Sequence, residues 1–362
     1  MGVWLEGLIR TLVRRPGVSV AVLVPRPGVS SGLEDLPGQV TVCAPAVGVP
    51  GTLWLHTLAA PQAAEVGDVF LATLGVLPRR LAVPGVLMVH DLTPLTRPRH
   101  HTVVTRLCFS AYAVESVTEA AAVVCLSEAT RRRLQAWLPG RATADARVIG
   151  PGVDPFFSPP PPGAEETAVR RQFAAGRPFL VQLGTLEPRK GVATLVAAHG
   201  ALCRRDGAAP DLVLAGGRGW GAGLVDAALA AHPESGRVHR PGYVSREDAR
   251  ELLRHAEAVV TASEEEGFGL PVAEAMACGA ACVISDDAAL LEAAAGAAEV
   301  FPRGSVDGLA DALARALAAP RQAVLRQASL ARAAALHWDG PGEAWHTLLR
   351  SLTMPGHAAI GD

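Results

Sequence analysis

The chain has 362 residues, which at roughly 150 residues per domain is enough for two domains. Hydrophobic residues make up 49% of it and charged residues 19%, a balance that allows sizeable cores and excludes a disordered chain. Its 33 basic and 35 acidic residues give a formal net charge of −2, which argues against a general nucleic-acid binder.

Short β-branched runs alternate with longer helical stretches along both halves of the chain. The predicted strands are Val18–Val24, Val40–Ala44, Asp68–Ala72, Val86–Val89, Ala122–Leu126, Arg147–Ile149, Phe179–Leu183, Leu212–Ala215, Ala258–Thr261 and Cys282–Ser285. The predicted helices are Val3–Arg14, about Thr102–Glu119, Glu128–Trp137, Lys190–Arg204, Arg246–Glu257, Val272–Cys278 and Val306–Ala318. Nearly continuous apolar strands separated by helices predict an α/β fold with parallel sheets covered on both faces.

Four consecutive prolines, Pro159–Pro162, mark the break between the halves. Such a run fits neither sheet and forms a stiff spacer. We therefore expect two Rossmann-like, doubly wound domains, with the first ending at residue 158 and the second beginning at 159. Ligands should bind where the carboxyl ends of the strands face a cleft between them.

The segment Ser263–Gly279 follows a predicted strand and opens a predicted helix. Pro271 suits the first turn of that helix, and Gly279 suits a left-handed residue just past its end. The free N–H groups of the helix start form a ready anion site. Glu266 in the loop and Glu274, expected in the first turn, supply carboxylates that accept hydrogen bonds from hydroxyl groups. The alternative is a well-capped helix in which Glu274 only interacts favourably with the helix dipole.

The loop Leu183–Gly191 follows the first strand of the second half. Gly184 lets the backbone approach a ligand, and Arg189 and Lys190 place two cations where a diphosphate would lie. Lys190 is the only lysine among 33 basic residues, which favours a role that requires its compact ammonium group. A solvated helix N-terminus is the alternative, but cations at that end oppose the helix dipole.

These motifs resemble the GT-B fold glycosyltransferases of the large retaining family 4. The second half carries the resemblance nearly throughout, and its strongest element is the Glu266-Gly-Phe-Gly-Leu-Pro-Val-Ala-Glu274 signature. The first half carries it more thinly, through His90-Asp91-Leu92-Thr93-Pro94-Leu95, Ser127-Glu128 and Gly152-Val153-Asp154.

The resemblance implies transfer of a hexose from a sugar nucleotide with retention at the anomeric carbon. Arg189 and Lys190 would then bind the donor diphosphate, Glu274 the ribose, and Glu266 and His90 the transferred sugar. A buried histidine at a strand end is the alternative for His90. The other donor-binding residues would be Gly184, Tyr243, Val244, Ser263, Gly267, Phe268, Gly269 and Leu270. Ser245, by contrast, is better explained as a helix N-cap.

The resemblance also implies that residues 337–362 carry a helix, around Trp338–Leu352, which returns to the first domain. Family members normally begin with a strand, whereas this chain begins at a helix near Gly2. The first strand of the N-terminal domain is therefore missing from the pattern, and we expect an unpaired position or edge beside Val18–Val24. We expect the exposed apolar edge to favour aggregation.

The expected donor is GDP-mannose or a UDP-hexose, with GDP-mannosyltransferases the nearest in pattern. The acceptor would be a glycan, a lipid-linked or a small-molecule compound. No cofactor is expected, and the net charge argues against nucleic acid. No metal is expected either, since no Asp-x-Asp triplet occurs. The alternatives are a catalytically impaired glycosyltransferase-like protein and another sugar-nucleotide enzyme such as an epimerase, which would need a Gly-x-Gly-x-x-Gly turn.

The expected location is the cytoplasm. No run of about 18 uninterrupted apolar residues occurs, and the N-terminus lacks an export signal. None of the six cysteines forms a Cys-x-x-Cys pair, so we expect buried thiols. Arg131–Arg133 and the helix over 100–117 suggest peripheral contact with the inner face of the cell membrane. An ordinary solvated arginine face explains them better.

Overall fold

The computed structural model describes residues 2–28, 36, 40–97, 103–163, 166–221 and 223–353. The chain divides into two compact units. The first unit is Met1–Gly152 together with His337–Asp362, and the second is Val153–Leu336. Residues 153–158, which the proline run assigns to the first domain, thus belong to the second unit. Asp154 pairs there with Arg246.

The first unit contains six parallel-paired strands among the described residues. They are β1 (Val20–Leu23), β2 (Val40–Cys43), β3 (Phe70–Ala72), β4 (Gly85–Val89), β5 (Ala122–Cys125) and β6 (Arg147–Val148). Its helices are α1 (Gly2–Leu12), α2 (Gly51–Thr57), α3 (Ala59–Val66), α4 (Thr93–Thr96), α5 (Val103–Glu119), α6 (Glu128–Trp137), α7 (Arg141–Ala144) and, from the end of the chain, α16 (Asp339–Thr353).

The strands of the first unit form two sheets, β1-β2 and β3-β4-β5-β6. β4, with the sequence GVLMV, is buried along its whole length. α16 packs against α1: the Trp345 and Trp4 ring centroids are 6.2 Å apart, and Arg15 pairs with Glu343 at 2.7 Å. The C-terminal helix therefore belongs to the same compact unit as α1.

The second unit continues the numbering. Its strands are β7 (Phe179–Leu183), β8 (Asp211–Ala215), β9 (Val238–Gly242), β10 (Ala258–Thr261), β11 (Cys282–Ser285) and β12 (Glu299–Phe301). Its helices are α8 (Glu166–Phe173), α9 (Val192–Arg205), α10 (Gly223–Ala230), α11 (Arg246–His255), α12 (Leu270–Ala277), α13 (Ala288–Ala294), α14 (Val306–Leu317) and α15 (Ala319–Ala333).

The strands of the second unit form one parallel sheet in the order β12-β11-β10-β7-β8-β9. Leu180, Leu212 and Val260 from its central strands are fully buried, with Leu195 of α9 and Leu313 of α14 packed against them. Aligned apolar strands between helical layers are the arrangement that the sequence predicts, and the α/β fold is confirmed.

Several predicted boundaries are confirmed, but the helix expected from Lys190 is wrong at its start. β7, β10 and β11 have the predicted bounds. The helix expected from Lys190 begins instead at Val192, because Pro188–Lys190 form a separate 3-10 turn that ends at the left-handed Gly191. Arg189 and Lys190 are therefore not the first residues of an α-helix.

Two further expectations concern the cysteines and the membrane. Cys125, Cys203, Cys278 and Cys282 are buried free thiols, as predicted, whereas Cys43 is only half-buried. Burial raises the pKa of Cys282 to about 12. None of the helices that the structure describes is both long and apolar enough to cross a membrane. The beginning of the predicted helix over 100–117 lies outside the described residues, and α5 starts at Val103.

Candidate active site

The candidate site lies where the strand order of the second unit reverses. β7 and β10 are paired neighbours in the sheet. The chain runs from β7 to β8 and β9 on one side and then to β10, β11 and β12 on the other. Doubly wound sheets bind ligands beside the carboxyl ends of the strands at such a switch point. The loops that leave β7 and β10 contain the two motifs identified in the sequence.

The main chains of these two loops are in direct contact. Gly191 has φ +63°, and a Cβ at this position would lie 2.0 Å from the carbonyl oxygen of Ala262. The backbone N–H of Glu264 donates to the carbonyl oxygen of Arg189 at 2.8 Å. Gly184, directly after β7, has φ +130°, a backbone conformation that residues other than glycine rarely adopt. Glycine is thus required at position 191 for the close approach of the two loops.

An ion pair joins the side chains of the two loops. Nζ of Lys190 lies 2.5 Å from Oε1 of Glu266, and Nη1 of Arg189 lies 3.5 Å from Oε2 of the same carboxylate. The hydroxyl of Ser263 donates to Oε1 at 2.7 Å. Nε of Arg189 also pairs with Glu187 at 2.7 Å. Only 14% of the Lys190 side chain and 11% of the Glu266 side chain are exposed.

Glu266 is ionised in this environment. Burial by itself would raise its pKa, but the charges of Lys190 and Arg189, together with hydrogen bonds, outweigh burial and hold the pKa below its usual value. Asp287, which is buried after β11, accepts a hydrogen bond from the backbone N–H of Glu266 at 3.4 Å and one from Ala289 at 3.0 Å. Asp287 therefore helps to position the loop that carries Glu266.

α12 begins directly after this loop. Gly269 is its N-cap with φ +101°, Pro271 stands in its first turn as predicted, and Gly279 beyond its end is left-handed, also as predicted. Glu274 is the fifth residue of α12, so the prediction that it lies in the first turn is wrong. The helix starts two residues earlier than expected, at Leu270.

Glu274 has a strongly shifted acidity. Burial raises its pKa to about 7, Arg246 opposes the shift, and Asp154 reinforces it. Arg246 is itself paired with Asp154, and its guanidinium lies 4.4 Å from the ring centroid of Phe156. Because Arg246 is already paired, it offsets only part of the cost of burying an ionised Glu274.

The loop after β9 carries the residues expected to contact a base. Tyr243 is 88% exposed, and Val244 is half-buried. The hydroxyl of Ser245 accepts a hydrogen bond from the backbone N–H of Asp248 at 3.0 Å, which confirms that Ser245 is the N-cap of α11. The N–H of Gly216, after β8, donates to the carbonyl of Gly242, so the loops after β8 and β9 are also connected.

His90 lies in the first unit, directly after β4. Its ring packs edge-on against Trp4, with centroids 5.1 Å apart. Burial lowers its pKa to about 4, so the ring is neutral at physiological pH. Its Nε2 is buried and has no hydrogen-bond partner among the described residues. The neighbouring Asp91 accepts hydrogen bonds from the N–H and hydroxyl of Thr93 and so shapes the turn into α4.

Within the described part of the chain, one group of side chains offers a set of metal-ligand atoms. His199, Cys203 and His232 are buried, with these atoms within 4.8 Å of one another. His232 accepts the N–H of Glu234 on Nδ1, so its neutral ring carries the proton on Nε2 and donates to Nδ1 of His199 at 3.0 Å. Nε2 of His199 then donates to the carbonyl of Pro210. Because Nε2 is protonated and the lone pair of Nδ1 accepts the N–H of Glu234, His232 has no free lone pair for a metal, and the cluster is a hydrogen-bonded part of the core.

The structure brings most of the predicted donor-binding residues to one edge of one sheet. Lys190, Arg189, Glu266 and Ser263 form a single cluster. The other members of the predicted set in the β10 loop and at the start of α12 are Gly267, Phe268, Gly269 and Leu270, of which the first three are buried. Sequence reasoning missed the role of Asp287. The signal was available, because two acidic residues directly follow the apolar strand β11.

The architecture is that of known glycosyltransferases. Sucrose-phosphate synthase from Thermosynechococcus elongatus superposes with a TM-score of 0.75 at 20% identity, covering 96% of this chain and 92% of that one. WaaG, a glycosyltransferase involved in lipopolysaccharide biosynthesis, gives a TM-score of 0.73 at 16% identity, covering 94% of each chain. The protein therefore has the GT-B fold.

The family assignment rests on the second unit. Residues 164–334 match the profile of the family described as Glycosyl transferases group 1. This part of the chain, which includes both loops of the candidate site, is a glycosyl transferases group 1 domain.

Two of the similar curated proteins are mannosyltransferases from Escherichia coli. The O-antigen chain mannosyltransferase B is 28% identical over 236 residues, which cover 64% of this chain and 61% of that protein. The serotype-specific mannosyltransferase WbdA is 29% identical over 200 residues, which cover 52% of this chain and 24% of that protein. The chain thus matches about a quarter of WbdA and about three fifths of the other relative.

Proposed function

We propose that the protein is a retaining family 4 glycosyltransferase that transfers a hexose from a sugar nucleotide to a glycan, lipid-linked or small-molecule acceptor. The observation that carries the proposal is the cluster of Lys190, Arg189 and Glu266 at the switch point of a glycosyl transferases group 1 domain. Similarity to mannosyltransferases supports mannose, with GDP-mannose as the donor. A UDP-hexose is the alternative donor.

In this proposal the two cations stabilise the leaving group. Breaking the bond between the anomeric carbon and the diphosphate produces an oxocarbenium-like sugar and increases the charge on the diphosphate. Groups that bind the diphosphate more tightly in the transition state than in the ground state accelerate this step. Lys190 and Arg189 supply such groups, and the N-terminus of α12 adds backbone N–H donors. No cofactor or metal takes part in the proposed reaction.

In this proposal Lys190 also changes partners when the donor binds. In the structure the cations Lys190 and Arg189 pair with the carboxylates of Glu187 and Glu266. A diphosphate competes with Glu266 for Lys190, and the released Oε1 of Glu266 can accept a hydrogen bond from a sugar hydroxyl. The same carboxylate thus keeps Lys190 in place before binding and contacts the sugar afterwards.

Glu274 is proposed to bind the ribose. As a carboxylate it accepts hydrogen bonds from the ribose hydroxyls, whereas the protonated form loses part of this capacity. Because its pKa is about 7 in the unliganded protein, nucleotide binding should strengthen as the pH rises from 6 to 8. Tyr243 and Val244 are proposed to contact the base, and His90 stays a prediction from the family resemblance. The cytoplasm, including the inner face of the cell membrane, is the proposed location.

A panel of sugar nucleotides tests the proposal. The protein is incubated with GDP-mannose, UDP-glucose and further sugar nucleotides, and release of the nucleoside diphosphate is measured together with the anomeric form of the sugar by NMR. We expect slow hydrolysis of GDP-mannose in which the first sugar released has the anomeric configuration of the donor. Inversion at the anomeric carbon, or no release from any donor, would contradict the proposal.

A further inference from the structure

One arginine side chain joins three loops at the carboxyl edge of the second unit's sheet. Arg303 stands two residues after β12. Its Nε and its backbone N–H donate to Oδ1 of Asp286, in the loop after β11, at 2.8 and 3.1 Å. Its Nη1 donates to the carbonyl oxygen of Glu264, in the loop after β10, at 3.1 Å. A guanidinium carries several N–H groups in fixed directions, so it can hold both loops at once.

Glu264 connects this arginine to the candidate site. Its backbone N–H donates to the carbonyl oxygen of Arg189 at 2.8 Å, while its own carbonyl accepts from Arg303. The main chain of Glu264 is therefore held on one side by the turn that carries the two cations and on the other side by Arg303. Glu266 lies two residues further along the same loop, so the bonds to Glu264 restrict where its carboxylate can lie.

A second route from Arg303 to Glu266 passes through Asp287. Nη1 of Arg303 lies 3.8 Å from Oδ2 of Asp287, whose side chain is fully buried. Oδ1 of the same carboxylate accepts the backbone N–H of Glu266 at 3.4 Å. A buried carboxylate needs a compensating positive charge to stay ionised, and Arg303 supplies positive charge beside Asp287. Loss of Arg303 would therefore disturb two attachments of the loop that carries Glu266.

Arg303 lies at the rim of the second unit rather than in its core. Its side chain is 39% exposed, so its replacement by alanine leaves no internal cavity, and ion pairs at such positions contribute little to global stability. Arg205, the last residue of α9, forms a comparable pair with Asp311 of α14 and is 46% exposed. The cationic turn precedes the first residue of α9, so Arg205 stands at the opposite end of that helix and is a matched control.

We propose that Arg303 is a positioning residue of the donor site, which holds the carboxylate of Glu266 in place relative to Lys190 and Arg189. The inference rests on the proposed function, in which Glu266 contacts the transferred sugar and the two cations bind the diphosphate. Misplacement of a reacting group by about 1 Å can cost roughly 100-fold in rate. Because Arg303 acts on the loop that carries Glu266, its loss should lower turnover more than it weakens binding of the free nucleoside diphosphate.

Steady-state kinetics of Arg303→Ala, Arg303→Lys and the control Arg205→Ala test the inference on the full chain. Release of nucleoside diphosphate from the sugar nucleotide that the wild type prefers gives kcat and KM. Calorimetric titration gives the affinity for GDP or UDP, whichever that donor contains, and urea denaturation gives the stability of each variant. Turnover of both alanine variants is also measured with millimolar guanidinium chloride, far below denaturing concentrations, since the free ion can occupy the place of the lost side chain.

Arg303→Ala should lower kcat about tenfold, leave the affinity for the nucleoside diphosphate nearly unchanged and unfold in urea as Arg205→Ala does. Arg303→Lys should recover only part of kcat, because an ammonium lacks the planar fork that reaches both loops. Added guanidinium should raise the turnover of Arg303→Ala and leave that of Arg205→Ala unchanged.

An active wild type together with an equally active Arg303→Ala would overturn the inference and leave the proposed function intact. Equal losses of turnover and of nucleotide affinity, or a loss of turnover that follows a lower free energy of unfolding, would show that Arg303 only supports the fold and would also overturn it. A wild type that is inactive with every sugar nucleotide would contradict the proposed function, and the inference would fall with it.

Discussion

Replacement of Glu274 by glutamine should stabilise the ligand-free protein at high pH. Burial raises the pKa of this carboxyl from 4.5 to about 7 in the folded protein. The folded state therefore holds a proton between these pH values that the unfolded state has lost, and stability falls as the pH rises from 4.5 to 7. A shift of about 2.5 units at 1.36 kcal/mol per unit corresponds to about 3 kcal/mol. Glutamine resembles the protonated carboxyl and avoids this loss.

Urea denaturation at pH 5, 6, 7 and 8 measures the effect. The Glu274→Gln variant should exceed the wild type's free energy of unfolding by less than about 1 kcal/mol at pH 5 and by about 3 kcal/mol at pH 8. Glu247→Gln, an exposed change on α11, is the matched control and should shift stability little at any pH. If Glu274→Gln were as stable as the wild type at pH 8, or less stable, the conclusion that Glu274 is a buried carboxyl whose charge is not fully offset by a cation would be refuted.

Three further predictions concern the second unit. Glu266→Gln should destabilise the protein at pH 7 but not in acid. The pKa of Glu266 is lower in the folded than in the unfolded protein, so the ionised carboxylate stabilises the fold fully only above the unfolded-state pKa. The same variant should bind nucleoside diphosphate at least as well as the wild type but lose turnover in steady-state assays, and unchanged turnover would exclude a contact with the sugar. Gly191→Ala should lower the free energy of unfolding, measured by urea denaturation, by more than about 2 kcal/mol. The alanine would have a left-handed backbone conformation and its Cβ would clash with the carbonyl of Ala262, whereas Gly207→Ala should be nearly neutral. Zinc should not raise the unfolding temperature, because His232 presents a protonated Nε2 to His199, and a rise abolished by His232→Gln would contradict this.

Buried parallel strands were the most predictable part of the fold. β7 and β10 were predicted to the residue because a strand covered on both faces is a continuous apolar run. β9, with the sequence VHRPG, was missed because an edge strand tolerates polar residues and proline. β12 was missed because three residues at the other edge are too few to show a pattern.

The charged residues of the candidate site were predictable, but their pairing was not. Lys190 and Glu266 stand 76 positions apart in the chain. They meet because Gly191 allows one loop to lie against the carbonyl of Ala262 in the other. Sequence reasoning assigned the two charges to separate parts of a donor. Their mutual pairing, and the low pKa of Glu266 that follows from it, depend on a tertiary contact that no local pattern encodes.

The turnover of Lys190→Ala tests the central claim most directly. Nucleoside diphosphate release from the preferred sugar nucleotide is measured at saturating donor for the wild type, for Lys190→Ala and for the surface control Arg171→Ala. Loss of a cation that stabilises the leaving diphosphate should raise the barrier by about 2–4 kcal/mol, or lower turnover roughly 30- to 1000-fold, and weaken nucleoside diphosphate binding less. Arg171→Ala should match the wild type. Wild-type turnover in Lys190→Ala would contradict the assignment of this cluster as the donor site.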